Sequence, residues 1–311
     1  EQRQFLRSTL NDLDTAGSYA AEAVQSLEQQ RQAGDGSEAT AIALALAYAT
    51  QAQILDNKYD PNGPVVGRRA AELLRPLAES PQASIAARRA YVEVLVRVGY
   101  EQLGGLKNEE AISTEQKAIR FATELGARKL TNLDMGALYA EAGACLVPAL
   151  VNVGRGDEAR LAGNDAMALV NKVLEQRPDY RLALRARQAI AGALSTVAEN
   201  DLNPHEALQY GLRTEQLSFI LLKLDPENII TNYNLGVAYQ SLGDALWAAG
   251  EVRDAIPYYL RSLDDFGYAT GGGAGFAELL VAIQTALTGL NRAEAALGPA
   301  RLGATGPPYL P

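Results

Sequence analysis

The chain of 311 residues has a single cysteine, Cys145, and a single histidine, His205. One thiol cannot build a disulfide framework, and one His with one Cys leaves too few soft ligands for a zinc site. No metal and no cofactor is therefore expected. Aromatic residues make up only 6% and charged residues 21%, and no run reaches the ~18 apolar residues of a membrane helix. Cations are the scarcer charge, with Lys+Arg 28 against Asp+Glu 37 and a net charge of −9. Without a basic run, nucleic acid is not an expected partner, and direct membrane insertion is not expected either. The chain opens at Glu1, without Met or a signal pattern, so the expectation is a trimmed fragment or a processed chain. The compartment stays open, the cytoplasm being expected unless a signal or anchor was removed.

What is present is apolar material, 48% of the residues, enough for a substantial core. A single core rarely outgrows ~250–300 residues, so the length implies two domains or an array of small units. Self-similarity favours the array. An acidic residue followed by alanine recurs at Glu110-Ala111, Glu158-Ala159, Glu206-Ala207 and Asp254-Ala255, every 48 positions. Thirteen positions before each alanine stand Val98, Leu146, Leu194 and Leu242. Proline breakers punctuate the units at Arg177-Pro178-Asp179 and Asp225-Pro226-Glu227, again 48 apart.

Apolar spacing within each unit is helical, without strand-like alternation of Val, Ile and Thr. The pattern predicts helix pairs over 37–56 and 65–80, 83–105 and 108–127, 132–154 and 156–177, 179–200 and 203–224, 227–249 and 251–267, and a short last pair over 274–290 and 292–302. One long helix within 2–33 precedes them. Gly104-Gly105, Gly154, Asn203-Pro204 and Gly250 mark the turns inside the pairs.

The stretch Tyr239-Gln-Ser-Leu242-Gly243-Asp-Ala-Leu246-Trp-Ala-Ala-Gly250-Glu-Val-Arg-Asp-Ala255-Ile-Pro-Tyr-Tyr259 resembles the tetratricopeptide repeat family in its spacing of aromatic, Leu-Gly, Leu, Gly, Ala and Tyr. Leu224-Asp-Pro-Glu-Asn228 resembles that family's inter-repeat turn. The other units keep the Leu and Ala columns and lose the aromatic ones, with Gly163 and Gly211 where Tyr259 stands. The family's unit is ~34 residues; the extra length here is close to two α-turns per helix, which keeps the same face inward. The resemblance implies an all-α, right-handed superhelical solenoid of antiparallel helix pairs. Residues 1–36 are expected to cap it, 37–303 to form the array of about six pairs, and 304–311 to trail as a C-terminal tail.

Signs of chemistry are weak. His205-Glu206 lacks the second His of a zinc-protease helix. Cys145, in Ala142-Gly143-Ala144-Cys145, reads as a buried thiol, and Pro148 as a kink in the same helix. Thr270-Gly271-Gly272-Gly273-Ala274-Gly275-Phe276 lacks the Lys-Ser/Thr of a phosphate loop and reads as an inter-repeat connection. Glu109-Glu110 suits a helix N-terminal dipole, and Asp264-Asp265 an exposed face. No enzymatic activity is expected.

In the resembled family the first helix of each pair lines a concave, peptide-binding face. Carried over in the 48-residue frame, the inward positions give Arg89, Glu93, Tyr100, Glu141, Arg185, Glu199, Tyr233, Gln240, Asp244 and Trp247 as candidate binding residues. Gln240 and Asp244 stand where some members hold a carboxylate clamp of Asn and Lys, so that clamp is not implied. Trp, Tyr and Arg dominate binding hot spots, while Trp247 and the tyrosines could equally pack between repeats. The resulting expectation is a non-catalytic scaffold for a protein or peptide. The alternatives are a sensory region of a larger bacterial signalling protein and a structural subunit whose apolar tail, Leu302, Pro307, Pro308, Tyr309 and Leu310, docks on a neighbour.

Overall fold

The computed structural model describes residues 13–58, 60–226, 229–271 and 277–297. Within them lie twelve α-helices and no strand: α1 Leu13–Gln32, α2 Glu38–Asn57, α3 Gly63–Ala78, α4 Ile85–Gly104, α5 Asn108–Glu124, α6 Leu133–Asn152, α7 Gly156–Gln176, α8 Arg181–Asn200, α9 Pro204–Leu224, α10 Ile229–Ala248, α11 Val252–Gly271 and α12 Ala277–Leu297. The chain is an all-α solenoid of the helical-repeat class. It divides into two compact units, Glu1–Ile190 and Ala191–Pro311, with α8 straddling the division.

The repeat is written into the helix starts. Helices α4, α6, α8, α10 and α12 begin 48 residues apart, as do α5, α7, α9 and α11. The turns inside the pairs hold a left-handed residue at Leu106, Gly154, Leu202 and Gly250, with φ of 58°, 77°, 55° and 84°. Glycine takes that conformation freely, whereas leucine is strained in it. Both sequence columns are core: Ala111, Ala159, Ala207 and Ala255 have no exposed surface, and Val98, Leu146, Leu194 and Leu242 are buried. Alanine at the first column lets helices approach closely, which a larger side chain would prevent.

Helix starts follow from side-chain caps. Ser37, Ser84, Asn132 and Asn203 each accept a hydrogen bond from the backbone N–H three residues on, at 3.2, 2.9, 3.3 and 3.3 Å, satisfying an otherwise orphaned donor. In the first unit, each helix from α1 to α6 packs on the next, and α4 also packs on α2 and α6. Tyr91 meets Phe121 edge to face at 5.4 Å in that core. In the second unit, α10 packs on α9, α11 and α12, around the fully buried Tyr259 and Phe266.

The expected long first helix is seen from Leu13, and positions 2–12 lie outside the described residues. One expectation is corrected. The predicted pair over 274–290 and 292–302 is a single helix, α12, running through position 291 to Leu297. Asn291, at the expected break, is a weak helix former, but Leu290 and Ala293 on either side are buried against α10 and α11, and that packing outweighs it. Most of the glycine run and the whole C-terminal tail fall outside the described residues.

Candidate interaction surface

Helices α4 and α6 and the first half of α8 supply the first unit's candidate residues. Arg89 pairs with Asp134 at 2.6 Å, and Asp134 accepts a second bond from the Tyr180 hydroxyl at 2.7 Å. Glu93 pairs with Arg97, one turn on, at 2.8 Å, and Arg97 reaches back to Thr50 Oγ1 on α2 at 2.9 Å. These side-chain bridges join residues 45–47 positions apart, the distance between stacked pairs. Glu141 and Arg185 are half-buried on the same face. Burial raises the Glu141 carboxyl, Arg185 and Arg97 oppose the rise, and Glu93 adds to it.

Tyr100 of α4 lies beside Glu141 and Arg185. The side chain is 40% exposed, while its hydroxyl end reaches the Glu141 carbonyl oxygen at 3.4 Å. Burial of that end, reinforced by Cys145, Glu141 and Glu115, raises the phenol well above its usual value; Arg185 counters. The result is an open aromatic ring whose hydroxyl end lies beside Glu141 and Arg185.

Beneath the band lies a feature that the sequence reading missed. Glu115 has no exposed surface, and apart from the neighbouring Cys145 thiol neither carboxyl oxygen has a hydrogen-bond partner. A methyl group on Gly99 would collide with this carboxyl, so the glycine makes room for it. Burial holds Glu115 well above the carboxylate range; the neighbouring Cys145 thiol offsets this and Glu141 adds to it. A protonated carboxyl is the form such a site tolerates. Cys145 is fully buried as expected, and burial, with Glu115 second, raises its thiol.

The 48-residue frame explains where Glu115 sits. Three repeats later, Gly99, Tyr100 and Glu115 become Gly243, Asp244 and Tyr259. The glycine is kept while the acid and the phenol trade places. In the second unit the Tyr259 ring lies against Gly243 and Gly289, and its hydroxyl donates to Asp244 at 2.7 Å. Arg292 of α12 adds to Asp244 at 3.2 Å and lies 4.4 Å over the Trp247 ring. The Gly243, Ala255 and Tyr259 of the repeat pattern are thus packing residues.

The other second-unit candidates are equally tied down. Tyr233 stacks on Phe266 at 5.8 Å and joins the cluster of Phe266, Ala282 and Ala286. Trp247 packs beside Tyr259 and Leu290. Gln240 is half-buried with an unpartnered Oε1. Glu199 accepts from Ser195 at 3.4 Å; burial, then Asp244, pushes it up to about 7. Each unit therefore gathers its own candidates, and it is the first unit that leaves an aromatic ring open among charges.

Glu101 belongs to a separate feature. It is buried against Gly67 with Oε1 unpartnered, and it lines a cavity of roughly 30 Å³ with Arg68, Gln102 and Lys107, room for one or two waters. Burial, with Asp56 second, pushes it up to about 8. His205 is exposed in the first turn of α9, and Glu109 and Glu110 occupy the first turn of α5. Among the described residues no group of three His, Cys, Asp or Glu side chains is arranged to hold a metal.

The arrangement has relatives among solved structures. BtubC (BKLC) from P. vanneervenii is similar over 96% of this chain and 96% of its own, with a TM-score of 0.55 and 12% identity. RapI in its apo form is similar over 95% of this chain and 70% of its own, with a TM-score of 0.58 and 12% identity. The fold is that of helical-repeat proteins. At such identity the likeness concerns architecture alone. No known sequence family matches the chain, and no curated protein does.

Proposed function

We propose that the chain is a non-catalytic scaffold of the tetratricopeptide type, in a long-helix variant, that binds a protein or peptide along the face of α4, α6 and α8. Tyr100 is the observation that carries this reading: an exposed ring whose hydroxyl end lies beside Glu141 and Arg185. Rigid aromatic anchors flanked by arginine and acid are the usual energetic centres of peptide recognition. The likeness to RapI, a helical-repeat protein of tetratricopeptide-like type, agrees with this assignment. The 48-residue spacing of the helix starts supports the same repeat type with longer walls.

The test places a photo-cross-linking amino acid at Tyr100, or at the exposed Gln116 on the opposite side of the helix pair, in the organism that encodes the chain. The expected result is a defined adduct at position 100, absent at 116 and weakened at least fivefold by Glu141→Lys with Arg185→Glu. Equal adducts at both positions, or none at position 100, would sink the proposal.

A further inference from the structure

Among the chain's asparagines only Asn62 precedes a glycine. That pairing favours loss of the side-chain amide, because a following glycine has no Cβ to shield its nitrogen or to restrict the backbone. The reaction balances with water as its co-reactant. The Gly63 nitrogen bonds to Asn62 Cγ, the Cγ–Nδ2 bond breaks, and the Gly63 N–H proton leaves with Nδ2 as ammonia. Water then opens the cyclic imide at one of its two carbonyls. One opening gives aspartate; the other gives isoaspartate, whose main chain runs through Cβ and Cγ and is one carbon longer.

The fold holds this pair away from reaction. Asn62 is exposed, so water reaches it, and it directly precedes α3. Its ψ of −17° turns the Gly63 nitrogen towards the Asn62 nitrogen, whereas ring closure needs it turned towards the side chain. Asp60 fixes that conformation at three points. Its Oδ1 accepts from the Asn62 N–H at 2.9 Å and from Asn62 Nδ2 at 2.8 Å. Its carbonyl oxygen accepts the Gly63 N–H at 3.0 Å. The attacking nitrogen and the leaving group are thus both bound to one residue. The related pair Asp35-Gly36 is a poorer candidate, because both oxygens of the Asp35 carboxylate are held, by the Ser37 N–H at 3.0 Å and the Thr40 hydroxyl at 2.6 Å.

We propose that Asn62-Gly63 is a deamidation site that Asp60 holds closed, so that its modification follows opening of the corner between α2 and α3. The two products differ in what they do to the fold. Gly63 is packed against the end of α2: a methyl group on it would lie 3.1 Å from the Asp56 nitrogen and 3.3 Å from the Ala52 carbonyl oxygen. A main chain one carbon longer at position 62 has no room there and displaces the first turn of α3. That part of α3 carries Pro64, Gly67 and Arg68, which close over Glu101, so isoaspartate loosens the seat of this buried acid. Aspartate keeps the chain length and is a favoured residue at a helix start.

Incubation of the full chain at mildly alkaline pH, with position 62 followed by peptide mass analysis, tests this. Conversion at Asn62 should be at least tenfold slower in the folded chain than in the same chain in guanidinium chloride. It should be at least fivefold faster in folded Asp60→Ala than in the folded parent. The isoaspartate form, separated by chromatography, should unfold at a lower temperature than the parent and than Asn62→Asp. Equal rates in the folded and unfolded parent, or no conversion at position 62 in the unfolded chain, overturn the proposal and need no variant. Folded Asp60→Ala reacting at the parent's rate overturns the role of Asp60, and an isoaspartate form that unfolds with Asn62→Asp overturns the displacement of α3.

Discussion

At the scale of single residues, the buried acids make the sharpest statement. Glu101 accepts its place only as a neutral carboxyl: it is wedged against Gly67, its Oε1 is unpartnered, and burial pushes it up to about 8 from an ordinary 4.5. The folded chain therefore binds a proton that the unfolded chain releases. The stabilisation this gives is complete below about 4.5 and is lost progressively as the pH rises through about 8. Glu101→Gln mimics the neutral form. It should match the parent in urea unfolding at pH 5 and exceed it at pH 9 by on the order of 2–3 kcal/mol. A gain of equal size at both values would mean that the carboxyl is ionised in the fold.

At the scale of elements, glycine decides how closely helices approach. Gly243 on α10 and Gly289 on α12 both lie against the Cε1 edge of the Tyr259 ring, which has no exposed surface and whose hydroxyl is held by Asp244. Gly243→Ala should cost at least ~2 kcal/mol, since the ring has nowhere to go. Gly192, inside α8, has open room, its nearest neighbour being the Thr214 methyl at 3.9 Å. Gly192→Ala should therefore add about 0.5–1 kcal/mol through helix propensity alone. Thermal unfolding of the two variants, read by circular dichroism, checks both signs; an equal effect would remove the packing argument.

The same contrast marks what was legible in the sequence. The helices, their turns and the 48-residue columns follow from periodicity and breakers, because every repeat faces the same packing problem. The continuity of α12 was not legible, since tertiary burial of Leu290 and Ala293 overrode a local signal. Of the proposed binding face, the candidate positions came from the frame, but Trp247 and Tyr233 are tied into packing while Tyr100 is open. Glu115 went unread because a glutamate in a helix looks solvated until its neighbours are known. The frame held a clue, since position 115 corresponds to Tyr259, a packing residue.

At the scale of the whole chain, these local terms add to a shape of stability against pH. Burial raises Glu101, Glu115 and Glu141 in the first unit, and it pushes Glu199 up to about 7 and Asp265 up to about 6 in the second. Each such group removes about 1.4 kcal/mol per pH unit between its ordinary value and its folded one. In the opposite sense, a Thr40 hydrogen bond lowers Asp35 and Arg155 lowers Glu158, but their contribution is complete once the pH exceeds about 4.5. The net charge of −9 adds self-repulsion as the last carboxyls ionise. The two trends cross near pH 5, so maximum stability should lie there and the unfolding temperature should fall steadily from pH 5 to pH 9. Calorimetric scans in buffers of matched ionic strength read this directly. A flat profile, or one rising between pH 6 and pH 8, would mean that water reaches Glu101 and Glu115 and that the glycine-lined sites are open rather than closed.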